Sequence, residues 1–145
     1  MRHFTIAMMS VLAMMWLVLG NVRSMGQTAS GGNAAAKAIK NPVPATPESI
    51  AAGKTIFQKS CSVCHGTGGQ GDGSIVKTLK PEAVKPANLT DAKWDHGSTD
   101  GEIFVTIRDG IGAPTGMMKP QKEKLKETDI WNLVNYVRSL GPKGK

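Results

Sequence analysis

Two thiols and an imidazole stand together at Cys61-Ser62-Val63-Cys64-His65. Spaced three apart on one turn, the two sulfurs are placed to add across the two vinyl groups of a haem, and the imidazole beside the second thiol then falls under the iron as an axial ligand. Two other chemistries use the same pair. A redox dithiol ordinarily sits at a strand-to-helix junction of an α/β pattern, which this chain lacks. A closed zinc site would take Cys61, Cys64, His96 and a fourth ligand with no obvious candidate, because the chain holds two Cys and three His, of which His3 lies in the N-terminal region. The motif favours one covalent haem c through Cys61 and Cys64, with His65 as a metal ligand.

A second axial ligand has to come from elsewhere in the chain. The stretch Gly112-Ala113-Pro114-Thr115-Gly116-Met117-Met118-Lys119-Pro120 carries two adjacent thioethers in a Gly/Pro loop, where no helix or strand presents them to an interior. A thioether is a natural sixth ligand for haem iron and raises its potential. Met118 and Met117 are both candidates, and His96, in Trp94-Asp95-His96-Gly97, is a bis-histidine alternative. The run Gly66-Thr67-Gly68-Gly69-Gln70-Gly71-Asp72-Gly73 is too rich in Gly for helix or strand. No Lys-Ser or Lys-Thr closes it and no strand precedes it, so it is not a phosphate cradle. It is expected to carry backbone closely past a flat ligand, since Gly permits positive φ and close approach.

Helices must hold these groups in place. Thr46-Pro47 opens the first, with Thr as N-cap and Pro at the first helical position. Ile50, Gly53, Ile56 and Phe57 then share a face, and the helix runs into Cys61. Gly53 is expected to let another helix approach closely. Ser74 to Lys80 reads as a short helical turn, and Pro81 and Pro86 keep the following chain extended. A carbonyl beside one of these prolines is expected to accept the Nδ1–H of His65, leaving Nε2 for iron. Trp94 is read either as a wall of the ligand pocket or as ordinary core. Thr99-Asp100-Gly101-Glu102 is a capping box opening a helix that carries Ile103, Phe104 and Ile107 and closes at Gly110. The last helix, roughly Thr128 to Leu140, presents Ile130, Leu133, Val134 and Val137 on one stripe, stops at Gly141-Pro142, and is expected to pack on the first.

Length and composition suit one small domain. Aromatics make up 5% of the 145 residues, so the core is small and a buried macrocycle would supply much of its volume. Residues 1–26 read as a signal peptide or an uncleaved anchor: Met1-Arg2-His3 precedes an apolar run from Phe4 to Gly20. Residues 27–46, rich in Ala, Gly, Ser, Asn and Pro without periodicity, read as a flexible linker, and residues 47–145 as the domain. Lys and Arg number 18 against 11 Asp and Glu. That modest surplus suits docking to an acidic protein or an anionic membrane surface, and the scattered lysines without an aromatic-basic stripe argue against nucleic acid.

With these residues in view, the chain from Thr46 to Leu140 resembles a small class I bacterial cytochrome c. Gly53, Phe57 and Cys61, each four apart, resemble the first helix of that family, and Leu133 with Tyr136 the aliphatic-aromatic pair that crosses it. The Gly71-Asp72-Gly73 loop, the run from Gly101-Glu102-Ile103-Phe104 to Gly110, the Met loop and the Ile130-Trp131 helix resemble it too. The resemblance implies an all-α cytochrome c fold, about three main helices plus short turns wrapped around one covalent haem. By its spacing of seven residues to Leu125, it implies Met118 as the sixth ligand in preference to Met117. The family ordinarily has Pro directly after that Met, whereas here Lys119 intervenes and Pro120 comes one place late. The implied function is one-electron transfer by a monomeric periplasmic carrier, soluble or anchored, between a dehydrogenase or respiratory complex and an acceptor such as a terminal oxidase. It is not an enzyme in itself. Lys77, Lys80, Lys85 and Lys119 are candidates for a basic docking rim. The alternative is a haem-c enzyme subunit, or a haem protein that binds gas or peroxide after displacement of the sixth ligand.

Overall fold

The computed structural model describes residues 33–91, 93–112 and 116–142. Five α-helices lie among them: α1 (Ala34–Lys37), α2 (Pro47–Ser60), α3 (Ser62–His65), α4 (Asp100–Asp109) and α5 (Glu127–Leu140), with a 3-10 turn at Ser74–Thr78. Among the described residues there is no sheet, only an isolated antiparallel bridge between Ile111 and Met118. No described helix is long and apolar enough to cross a membrane. The fold is all-α, with three longer helices around one core, as the resemblance implied.

Local chemistry sets the ends of these helices. The Thr46 hydroxyl accepts the Ser49 N–H at 3.2 Å, and Pro47 takes the first position of α2. α4 opens on the full capping box: the Thr99 hydroxyl accepts the Glu102 N–H, and the Glu102 carboxylate accepts the Thr99 N–H at 2.9 Å. α5 begins at Glu127, one residue before the expected start, with Lys126 in the cap position and the Asp129 carboxylate accepting its N–H at 3.2 Å.

The core forms where α2 crosses α5. Phe57, Ile130, Leu133 and Val134 are almost fully buried there, and the Phe57 and Tyr136 rings lie 5.1 Å apart. Gly53 makes the crossing possible, since a Cβ at that position would run into the Asn132 carbonyl and come within 2.8 Å of Tyr136 Cβ. On the other side of α5, Trp131 stacks on Phe104 of α4 with centroids 4.0 Å apart.

Residues 33–46 depart from the expectation of a flexible linker. Asn33 caps α1 by accepting two N–H groups, Ala36 is buried, and its carbonyl lies against Gly101 at the start of α4. Further along, the Asn41 amide donates to Asn135 Oδ1 at 2.8 Å. Asn135 in turn donates through Nδ2 to Ser49 Oγ at 2.8 Å and to the Val43 and Pro44 carbonyls at 3.1 and 3.2 Å. A stretch without a periodic apolar stripe is therefore held by one buried amide on α5, a contact more than ninety residues away in the chain that no local pattern announces.

Candidate functional site

α2 ends at Cys61, which serves as its C-cap and as the N-cap of α3, so the two thiols and the imidazole occupy a single turn. The Cys64 N–H donates to the Cys61 carbonyl at 3.1 Å and the His65 N–H to the same carbonyl at 2.9 Å. Both thiols are free and half-buried. Burial first, and the neighbouring Cys64 second, push the Cys61 thiol up to about 11.

The His65 ring is fixed from behind. Its Nδ1 lies 3.1 Å from the Ala87 carbonyl, and because a carbonyl only accepts, Nδ1 carries the proton and Nε2 the lone pair. Burial holds the ring below its ordinary 6.5, partly offset by the Ala87 contact, so it is neutral at pH 7. The acceptor directly follows Pro86, as the sequence led one to expect of a carbonyl beside a proline.

The Gly-rich loop supports this arrangement in a way not foreseen. Its close approaches are to the backbone of the motif turn itself: the Gly71 N–H donates to the His65 carbonyl at 2.8 Å and the Gly73 N–H to the Cys64 carbonyl at 3.1 Å. Gly71 has φ of 75°, and a Cβ there would come within 2.5 Å of the Pro86 carbonyl. Glycine therefore lets the loop lie between the motif turn and residues 86–87, bringing the Ala87 carbonyl within reach of His65. The loop buttresses the turn and does not line the cleft described next.

Cys61 and His65 open onto an apolar cleft enclosing about 640 Å³ of empty space, its mouth included. Phe57, Ile103, Leu133 and Val137 wall it, and Met118 also lines it. The Met118 backbone is held by the Ile111 N–H, which donates to its carbonyl at 2.8 Å. Met117, next to it, is 79% exposed. His96 lines the cleft as well, together with Trp94 and Gly97, so Trp94 is both wall and edge of the core. Among the described residues no group of three or more His, Cys, Asp and Glu side chains gathers where it could hold a metal ion.

A flat, largely apolar group fits this site: the Cys61 thiol, a neutral imidazole with a defined lone pair, a thioether, and hydrocarbon walls, with Cys64 on the same turn but not among the residues that line the cleft. Comparison with known proteins agrees. Residues 50–141 match the family model for Cytochrome c, and the chain belongs to that family. A domain of this family carries covalently bound haem c and serves electron transport. Cytochrome c-554(547) of Halothiobacillus neapolitanus is 34% identical over 93 residues, which are 62% of this chain and 94% of that protein. The cbb3-type cytochrome c oxidase subunit FixP of Bradyrhizobium diazoefficiens is 33% identical over 91 residues, 63% of this chain but only 27% of the subunit, so the chain matches a minor part of such subunits. Among solved structures, cytochrome CL of Methylophaga aminisulfidivorans has a TM-score of 0.53 at 25% identity, covering 86% of this chain and 79% of that one. A chain of a reducing HAO-like protein complex of Kuenenia stuttgartiensis has a TM-score of 0.61 at 27% identity, covering 72% of this chain and 50% of that one.

Sequence reasoning missed the partners that hold the site from a distance. Arg138, which no motif in the sequence singles out, lies with its guanidinium 5.3 Å from the centre of the Trp94 ring. Glu102, read as a cap, is 2% exposed and sits beneath Gly97 of the cleft wall.

Proposed function

We propose that this chain is an exported, periplasmic one-electron carrier holding one haem c through Cys61 and Cys64, with His65 and Met118 as axial ligands. It passes electrons from a dehydrogenase or respiratory complex to an acceptor such as a terminal oxidase. The observation that carries this reading is the convergence of Cys61, His65 and Met118 on one apolar cleft, with Met117 turned out to solvent. The bound group supplies a one-electron couple whose potential is tuned by axial ligands and burial. The chain's own residues do the rest. Ala87 fixes the tautomer of His65, the Ile111–Met118 bridge holds the thioether loop, and the apolar walls keep water out, which disfavours additional charge inside. His65 and Met118 would hold the group from the chain itself, and a haem so held would have no ligand position left for a substrate.

Export is supported by the basic start and apolar run of residues 1–20, whose structure lies outside the described residues. Docking is supported by Lys77, Lys80, Lys85 and Lys119, all exposed on the two segments that follow the Gly-rich loop and the Met pair. They suit an acidic partner surface in a weak, salt-sensitive complex. The likeness to oxidase subunits favours a second reading, in which the chain works as a subunit within such a complex rather than as a free carrier.

The test is a redox titration of the chain produced with export and haem-attachment machinery, followed by exposure of the untreated ferrous form to carbon monoxide. A mass increase of one haem, a one-electron Nernst slope and slow or absent carbon monoxide binding are expected. Rapid carbon monoxide binding overturns the carrier reading in favour of a gas- or peroxide-binding protein. Co-sedimentation with oxidase-containing membranes through a salt wash separates the subunit reading from the free carrier.

A further inference from the structure

The cleft wall formed by Trp94, His96 and Gly97 belongs to a loop between Asp91 and Thr99 that contains neither helix nor strand among its described residues. Side chains hold it at two places. At its end, Glu102 accepts the Thr99 N–H and hydroxyl, both at 2.9 Å. Across its middle lies Arg138, from the last turn of α5. The guanidinium sits 5.3 Å from the Trp94 ring centre, its Nε donates to Asp100 Oδ1 at 2.8 Å, and another of its N–H groups donates to the Ser98 carbonyl.

Three different chemistries thus meet on one planar group: a π face, a carboxylate and a backbone carbonyl. A guanidinium serves all three at once because it is flat and its donors point in fixed directions, whereas an ammonium keeps the charge but has neither the plane nor the fork. α5 buries seven residues between Ile130 and Val137, the last of them directly before Arg138, so its last turn is a firm point from which to hold a loop. Side-chain exposures of 37% for Arg138 and 39% for Asp100 make the pair alone worth little. What distinguishes the contact is its geometry, which ties the two ends of the segment from Trp94 to Asp100 to one helix.

We propose that Arg138 is a positioning residue that clamps the 94–100 loop onto α5, so that Trp94 stays in the cleft wall and water stays out. The role rests on the electron-transfer reading above, since a closed wall matters to the potential of a buried redox group. Releasing the wall admits water, which favours the more highly charged oxidised state and lowers the midpoint potential. The loss of the positive charge would act in the same direction, so the two causes must be separated by the choice of variant.

The experiment compares wild type, Arg138→Gln and Arg138→Lys as full chains carrying haem, by amide hydrogen exchange resolved to peptides and by redox titration. In both variants, exchange across 94–100 is expected to rise on the order of tenfold, the factor that follows from losing one charge-assisted hydrogen bond, while exchange in α2 is unchanged. The midpoint potential is expected to fall in both. If Lys restores the wild-type potential and protection, Arg138 acts by charge alone and the clamp is overturned; unchanged exchange across 94–100 in both variants overturns it too. Should wild type carry no haem, the electron-transfer reading fails, but the exchange comparison still decides whether Arg138 clamps the loop.

Discussion

Gly53→Ala probes the crossing on which the motif turn depends. The added Cβ would fall 2.8 Å from Tyr136 Cβ and 2.6 Å from the Asn132 carbonyl carbon, with the carbonyl oxygen nearer still. Two of these three atoms are backbone in the middle of α5 and cannot swing aside, so the helices must part by several tenths of an ångström or more. That separation loosens Phe57 against Tyr136, and overpacking of this kind costs about 1–3 kcal/mol. Replacing Gly inside a helix regains roughly 0.5–1 kcal/mol of backbone entropy, which leaves a net loss of about 0–2.5 kcal/mol, in the upper half of that range because the nearest clashing atoms are backbone, and a drop in Tm on the order of 4–8 °C per kcal/mol for a domain of this size. Thermal and guanidinium unfolding followed by far-UV circular dichroism measure it. Gly68→Ala is the control: its Cβ would meet only the Gln70 side chain, at 3.7 Å or more, and is expected to be neutral. A Gly53→Ala protein as stable as wild type would refute the close crossing as the reason for glycine.

Three further outcomes follow from particular contacts. Glu102→Gln is expected to cost about 1–2 kcal/mol at pH 7, because the capping box loses its charge and an amide replaces a carboxylate that is 2% exposed. Burial pushes the Glu102 carboxyl up, but the N–H and hydroxyl of Thr99 and the charge of Lys37 outweigh it and hold the group below its ordinary 4.5. Its stabilisation is therefore present above 4.5 and lost as the pH falls through the lower folded-state value, so acid unfolding curves of variant and wild type should converge there; a constant gap down to full protonation would contradict this. Asn135→Ala should destabilise by about 2–3 kcal/mol and raise protease cleavage between residues 33 and 46, since Asn41, Val43, Pro44 and Ser49 all lose a partner. Unchanged proteolysis would mean that the segment is held by other contacts. Electron-transfer rates with an acidic partner should fall with rising salt and fall further in a Lys77→Glu/Lys119→Glu variant, and flat rates would reject the basic rim.

What could be read from the sequence is what depends on neighbouring residues. The Cys61–His65 turn, the Thr46 and Thr99 caps, the stop at Gly110 and the stripe on α5 each follow from groups within about four residues of one another, the range over which helix chemistry acts. Gly53 was legible too, because a lone glycine on an apolar helix face signals close approach. Contacts between distant segments were not legible. Asn135 carries no mark in the sequence that distinguishes it from a solvent-facing residue, so the docking of residues 33–46 went unread. The Gly-rich loop showed its need for close approach but not its target, which is the Cys64–His65 backbone and the 86–87 segment. Arg138 is in sequence a basic residue near a helix C-terminus like many others, and only the fold brings Trp94, Ser98 and Asp100 around it.

Met117 and Met118 are the two thioethers that could ligate the iron of the proposed haem. Met118 lines the cleft with its carbonyl bonded to Ile111, and Met117 is 79% exposed, although Lys119 stands where the family ordinarily has Pro. The ferric methionine-to-iron charge-transfer band reads this directly. Wild type and Met117→Ala are predicted to show the band and Met118→Ala to lack it. A band that survives in Met118→Ala and disappears in Met117→Ala, or a wild type without it, would contradict the assignment of His65 and Met118.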